Sequence, residues 1–162
     1  MLHDRLCRFV QTIVWNNEDV KDVMSETWLK AFAKFESINQ RDAFIYYLFS
    51  IASNLVKKQQ RRNKFRAMFN WDHIVELSAW QHAESNIQRR ELYNLLSKLN
   101  EDQREAITLF EVAGFSYAEI AKMKQCSVAA VKNRILRARQ KLHGMVEREQ
   151  RRFSFQIQGN KL

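Results

Sequence analysis

Phe115-Ser116-Tyr117-Ala118-Glu119-Ile120-Ala121-Lys122-Met123-Lys124-Gln125-Cys126-Ser127-Val128-Ala129-Ala130-Val131-Lys132-Asn133-Arg134-Ile135-Leu136-Arg137-Ala138-Arg139-Gln140-Lys141-Leu142 reads as helix, short turn, helix. Ser116 with Glu119 forms a capping box, and Phe115 and Ile120 stand at the two positions of a hydrophobic staple. Lys124, Gln125 and Cys126 make the turn, and Ser127 is placed to cap the second helix. There Val128, Val131, Ile135, Ala138 and Leu142 share one face, the spacing of a helix packed on a small core. The other face carries Ala129, Ala130, Asn133, Leu136, Arg137 and Gln140, flanked by Lys132, Arg134 and Lys141. Small residues at the start let such a helix enter a major groove, Asn, Gln and Arg read base edges, and flanking cations hold phosphates. The competing reading is a plain amphipathic helix with a solvated basic face.

Outward from this motif the chain remains helical. It has 162 residues, no proline and three glycines, too few turn formers for a strand-rich fold. Asn100 is placed to cap a helix that ends at Gly114, with Gln103 three residues on. Ile87, Leu92, Leu95, Leu96 and Leu99 form the helix before it. Near the start, Leu2, Leu6, Phe9, Val10 and Ile13 have helical spacing, and Asn16 and Asn17 break the run. In Glu18 to Phe35, the residues Val20, Val23, Met24, Thr27, Ala31 and Phe35 share one face. Ser37 to Asp42 reads as a polar loop, and Ala43 to about Lys64 as a third helix. Residues 66–84 have no clean period and read as a linker with some local helix. The tail from about Phe153 reads as frayed. The expected fold is therefore all-α: two small helical domains, 1–65 and 85–145, joined by the linker 66–84 and followed by a basic, polar tail at 146–162.

A net charge of +9 and a pI near 9.8 call for a polyanionic partner. Cys7 and Cys126 lie far apart, as in a reduced cytoplasm. No stretch resembles a secretion signal or a membrane span. His3, His73, His82 and His143 show no metal-ligand spacing with the cysteines. No phosphate-binding glycine loop or nucleophilic triad is present. The expectation is a cytoplasmic protein without cofactor, metal, membrane attachment or small-molecule substrate, and not an enzyme.

Asp102-Gln103-Arg104-Glu105, Phe115 to Ala121 and Val128 to Arg139 resemble the C-terminal DNA-binding domain of extracytoplasmic-function sigma factors. The resemblance implies minus-thirty-five promoter contacts at Ala130, Lys132, Asn133, Leu136 and Arg137. Asp19-Val20-Lys21-Asp22-Val23-Met24-Ser25-Glu26-Thr27-Trp28-Leu29-Lys30-Ala31-Phe32 is similar to the family's helix for the clamp helices of the polymerase beta-prime subunit. Its outward residues Asp22, Ser25, Glu26 and Leu29 form an apolar anchor with an acidic rim, suited to a basic partner helix. Phe44 through Asn54 is similar to the helix that melts and reads the minus-ten element. Tyr46, Tyr47 and Phe49 offer stacking surfaces for unpaired bases, although core packing is the ordinary use of such aromatics. Asn54 is placed to bond an extruded base, with Asn39, Gln40, Arg41 and Asp42 covering it. Lys57, Lys58, Arg61, Arg62, Lys64 and Arg66 suit duplex phosphates.

The resemblance implies core RNA polymerase and promoter DNA as partners, and an anti-sigma factor as regulator. Three departures stand out. The family usually has about one more helix before the position of Leu6. Gln125 occupies a turn position that is usually glycine, which costs about 1 kcal/mol if the backbone there is left-handed. Ser50 stands where the family has an arginine, altering an implied DNA contact. Two other functions stay open on sequence: a dimeric helix-turn-helix regulator acting without polymerase, and an interaction protein docking a basic helix on a partner or membrane.

Overall fold

The computed structural model describes residues 1–14, 16–38, 40–69 and 83–159. Among these every regular element is helical: α1 (Leu2–Ile13), α2 (Asn17–Phe32), a 3-10 turn (Phe35–Ser37), α3 (Arg41–Phe69), α4 (Ala83–Ser97), α5 (Glu101–Glu111), α6 (Tyr117–Lys124) and α7 (Val128–Gly159).

The starts and stops follow local chemistry. Asn16 caps α2, its Oδ1 accepting from Glu18 N–H at 2.9 Å. Asn100 caps α5 by accepting from Gln103 N–H at 2.8 Å. At α6 the capping box is complete: Glu119 N–H donates to Ser116 Oγ at 3.3 Å, and Ser116 N–H donates to Glu119 Oε2 at 2.7 Å. Its carboxylate stays below the usual range because it accepts those Ser116 donors. Ser127 caps α7 through Ala130 N–H at 3.1 Å. Gly114, at φ +70°, turns the chain after α5 as a left-handed residue.

Gln125 takes the left-handed conformation at φ 49°, ψ 46°. Its N–H and that of Cys126 close α6 onto Lys122 and Ala121 carbonyls at 3.3 and 3.1 Å. A Cβ is strained there, so Gln125→Gly is expected to stabilise the fold by about 0.5–1 kcal/mol. A rise in the thermal midpoint checks this; an unchanged or lowered midpoint contradicts it.

One apolar cluster runs through both halves of the chain. Leu6, Phe9, Val10 and Ile13 of α1 and Leu48, Phe49, Ala52, Leu55 and Val56 of α3 are buried in it, and so are Leu109, Phe115, Ile120, Val131 and Ile135. The halves anticipated from sequence therefore share a core, with α1 and α3 packed on α5 and α6.

Several expectations need correction. Phe35 leaves the α2 core face: it lies in the 3-10 turn, 53% exposed. Arg41 and Asp42 are not loop but the first turn of α3. That helix continues beyond Lys64 to Phe69, taking the first residues of the expected linker. Val128, placed on the core face of its helix, faces solvent at 41% exposed, because it stands at the first position of α7, ahead of the buried turns at Val131, Ile135 and Ala138. The expected tail is helical to Gly159. The remainder of the linker, from residue 70 to 82, lies outside the described residues.

Candidate polymerase and nucleic-acid interfaces

α2 presents the first face. Val20, Val23, Met24, Thr27 and Ala31 are buried, which turns Asp22, Ser25, Glu26 and Leu29 outward. Leu29 is 73% exposed. Glu26 pairs with Lys30 at 2.7 Å, and that hydrogen bond holds its carboxyl below the usual range. The outward stripe does not end at Leu29, the last residue expected in it, but continues to Phe32, 61% exposed. Phe32 leans on Trp28 with ring centroids 5.7 Å apart and on Phe35 at 6.4 Å; Phe35 meets Phe44 edge-on at 5.2 Å. The signal was available in the sequence, since Leu29 and Phe32 are three apart on one helix face.

The long helix α3 carries two stripes with different surroundings. Asn54, Lys58 and Arg62 are exposed, and Tyr47 is half-buried with the Lys34 ammonium 6.0 Å from its ring. The other stripe faces the C-terminal half. Tyr46 donates to Glu119 Oε1 at 3.1 Å, and burial together with that bond raises its phenol pKa. Ser53 donates to the buried Glu105 carboxylate. Lys57 lies 2.9 Å from Glu105 and 3.3 Å from Glu101. Burial alone would lower the Lys57 pKa; the two carboxylates outweigh it and raise it. Arg61 is 3.7 Å from Glu101.

Phe49 is fully buried, so it belongs to the core and is not a base-stacking surface. Ser50 returns its hydroxyl to the Tyr46 carbonyl at 2.8 Å. Gln40 and Asp42 are exposed beside the start of α3. Asn39 and the side chains of Arg41, Lys64 and Arg66 lie outside the described residues.

The third face is the first half of α7. Val131, Ile135 and Ala138 are buried, leaving Ala129, Lys132, Asn133, Leu136, Arg137 and Lys141 exposed. Ala130 is half-buried. Leu136 is 53% exposed among these polar neighbours. Two of the expected cations have partners within their own half: Arg134 pairs with Asp102 at 3.2 Å, and Lys141 donates to the Lys98 carbonyl at 2.6 Å. Arg139 braces α7 on α5, bonding Glu111 at 2.5 Å with its guanidinium over Phe110. Among the described residues no group of His, Cys, Asp and Glu could hold a metal ion, and no helix is long and apolar enough to cross a membrane.

Comparison with known families matches both halves in this order. Residues 1–66 match Sigma-70 region 2, and residues 89–142 match Sigma-70, region 4. The chain belongs to the extracytoplasmic-function sigma factors. It is 31% identical over 145 residues to the ECF RNA polymerase sigma-E factor of Haemophilus influenzae, covering 82% of this chain and 77% of that one. It is 30% identical over 140 residues to the ECF RNA polymerase sigma factor EcfG of Rhodopseudomonas palustris, covering 85% and 77%. Among solved structures, the sigma factor RpoE in complex with the anti-sigma factor NepR from Bartonella quintana superposes with a TM-score of 0.72. The identity is 27%, over 90% of this chain and 92% of that one. The structure of CnrH in complex with the cytosolic domain of CnrY, at 24% identity and a TM-score of 0.70, shares the fold. As a sigma factor this chain binds core RNA polymerase and directs promoter-specific transcription initiation. Membership of the family removes the two alternative functions left open by the sequence.

Proposed function

We propose a division of labour among the three faces. Asp22, Ser25, Glu26 and Leu29, extended by Phe32, meet the clamp helices of the beta-prime subunit. Tyr47, Asn54, Lys58 and Arg62, with Tyr46, Lys57 and Arg61 when these are released, serve the minus-ten element, and residues 39–42 flank it. Ala129, Ala130, Lys132, Asn133, Arg134, Leu136, Arg137 and Lys141 serve the minus-thirty-five element, with Arg134 and Lys141 steadying the helix as much as touching phosphate. Residues 1–65 and 85–145 act as the two functional units. The protein works in the cytoplasm, by binding and not by catalysis.

The observation that carries this reading is the Leu29–Phe32 stripe, apolar and exposed beside carboxylates on an otherwise core-packed helix. An acidic rim repels DNA and suits a basic protein surface. An anti-sigma partner follows from the relatives, since the similar Bartonella quintana factor was solved with one. Each unit alone would bind weakly, and joint attachment to polymerase raises the effective concentration of the second.

Arg137 is exposed on the reading face of α7. Arg137→Ala is expected to weaken recognition of a cognate promoter by about 1–3 kcal/mol while polymerase binding is unchanged. The check is run-off transcription from a promoter selected with this protein and core polymerase, with co-elution measured alongside. Loss of polymerase binding in that variant would contradict the division of labour.

A further inference from the structure

Two aromatic rings join α5, α6 and α7 beside the reading face of α7. Phe110 lies in the last turn of α5, and Tyr117 is the first residue of α6. The left-handed Gly114 between them turns the chain, and their rings stack with centroids 4.6 Å apart and planes at 11°. Each ring takes one cation from α7. The Lys132 ammonium lies 5.8 Å from the Tyr117 centroid, and the Arg139 guanidinium lies 5.4 Å from that of Phe110. Lys132 and Arg139 stand two turns apart on one side of α7, about 10 Å along its axis, a gap that a pair of stacked rings can bridge. The Arg139 end is anchored: its guanidinium also bonds Glu111 at 2.5 Å, and its pKa is raised first by that bond and further by the Tyr117 phenol. Lys132 is held differently. It is exposed next to Asn133 and one turn from Leu136, and unlike Arg134 and Arg139 it has no carboxylate partner among the described residues. A carboxylate would neutralise the ammonium in holding it. An aromatic face holds it through the ring quadrupole and leaves its charge for an anion. It also restrains a side chain whose rotamer freedom a phosphate contact would otherwise have to remove.

We propose that Phe110 and Tyr117 are positioning residues for promoter recognition: an aromatic shelf, anchored by Arg139 and Glu111, that holds Lys132 charged and in place for a backbone phosphate of the minus-thirty-five duplex. This rests on the reading of Lys132 as a minus-thirty-five contact. The shelf acts through a phosphate and not through a base edge. It therefore adds affinity and leaves sequence preference to Asn133, Leu136 and Arg137.

The test is a double-mutant cycle on the holoenzyme assembled from core polymerase and the full chain. Its dissociation constant for a promoter selected with that holoenzyme is measured at low temperature, before the DNA melts, across a salt series. Lys132→Gln is expected to weaken binding about tenfold and to flatten the slope of log affinity against log salt by about one. Tyr117→Leu is expected to weaken binding about threefold and Phe110→Leu about twofold, while Tyr117→Phe, which keeps the ring, restores the unaltered affinity. In the Lys132→Gln background none of the three should weaken it further. Equal losses from Tyr117→Leu in the two backgrounds overturn the proposal, because Tyr117 would then act without Lys132. No loss in either background overturns it as well. An unchanged affinity and slope in Lys132→Gln would remove the minus-thirty-five reading of Lys132 itself, and the shelf would fall with it. If Tyr117→Leu does not fold, the ε-methylene proton resonance of Lys132 in the unaltered free chain decides, assigned by its absence from the Lys132→Gln spectrum. A position upfield of the other lysines, the mark of a ring face, is expected, and a position among them overturns the shelf.

Discussion

Replacing Asp22, Glu26 and Leu29 together by alanine is expected to abolish co-elution of the chain with core RNA polymerase while leaving its helix content and thermal midpoint nearly unchanged. Leu29 is 73% exposed, so its removal takes nothing from the core. Asp22 is exposed, and Glu26 is tied to Lys30 one turn on, an exposed pair worth about 0.3–0.5 kcal/mol. In a complex the same leucine would be the desolvated centre, with the carboxylates at its rim. Loss of a central anchor and its charged partners typically costs about 2–4 kcal/mol, roughly a 30-fold to 1,000-fold rise in Kd. Phe32→Ala is expected to weaken binding further, because Phe32 continues the exposed stripe and leans on Trp28. Full co-elution of the triple variant would move the polymerase face elsewhere and leave the exposed stripe without a role.

What the sequence disclosed about this molecule is local in origin. The caps at Asn100, Ser116 and Ser127 each involve partners within three residues, and all three form as read. The left-handed Gln125 was flagged only by the resemblance, which put a usual glycine at that turn position, and the backbone there is left-handed. The buried side of α2 followed from its period through Ala31, and failed at Phe35, where the helix had already given way to a 3-10 turn. Contacts between elements were not legible. Lys57 and Glu105 are 48 positions apart by their numbers, and nothing periodic links them. A basic run without acids reads as a phosphate surface whether or not acids from another element cover it. Val128 illustrates the same limit, since it keeps core spacing and is still 41% exposed at the first position of its helix. Arg134 and Lys141 fit a phosphate-binding pattern, but their pairing with Asp102 and the Lys98 carbonyl depends on how α7 crosses α5 and the end of α4.

The second large effect is expected at Phe115. The sequence placed it in a hydrophobic staple, a device local to α6. Its surroundings are wider than that. Gly114, at φ +70°, turns the chain so that Phe115 enters the apolar cluster of α1 and α3, where it is 2% exposed. Its ring meets Phe49 edge-on at 4.8 Å and Tyr46 at 6.1 Å, and the Arg5 guanidinium lies 4.0 Å from its centroid. The Arg5 Nε–H also donates to the carbonyl of Ala113, so one arginine of α1 binds both the backbone and the ring of this turn. Phe115→Ala is expected to cost about 3–5 kcal/mol, since a buried phenyl is lost and the two halves cannot easily collapse on the space. For a chain of this size that is a fall of roughly 6–20 °C in the thermal midpoint. The melt is also expected to separate into two transitions, because the shared core that makes the halves unfold together has lost its largest cross-link. A double-mutant cycle with Phe49→Ala distinguishes this account from a purely local staple. Coupling of about 0.5–1.5 kcal/mol is expected if the rings touch in solution. Additive losses would mean that Phe115 stabilises only its own turn, and that the two halves stand apart in the free protein.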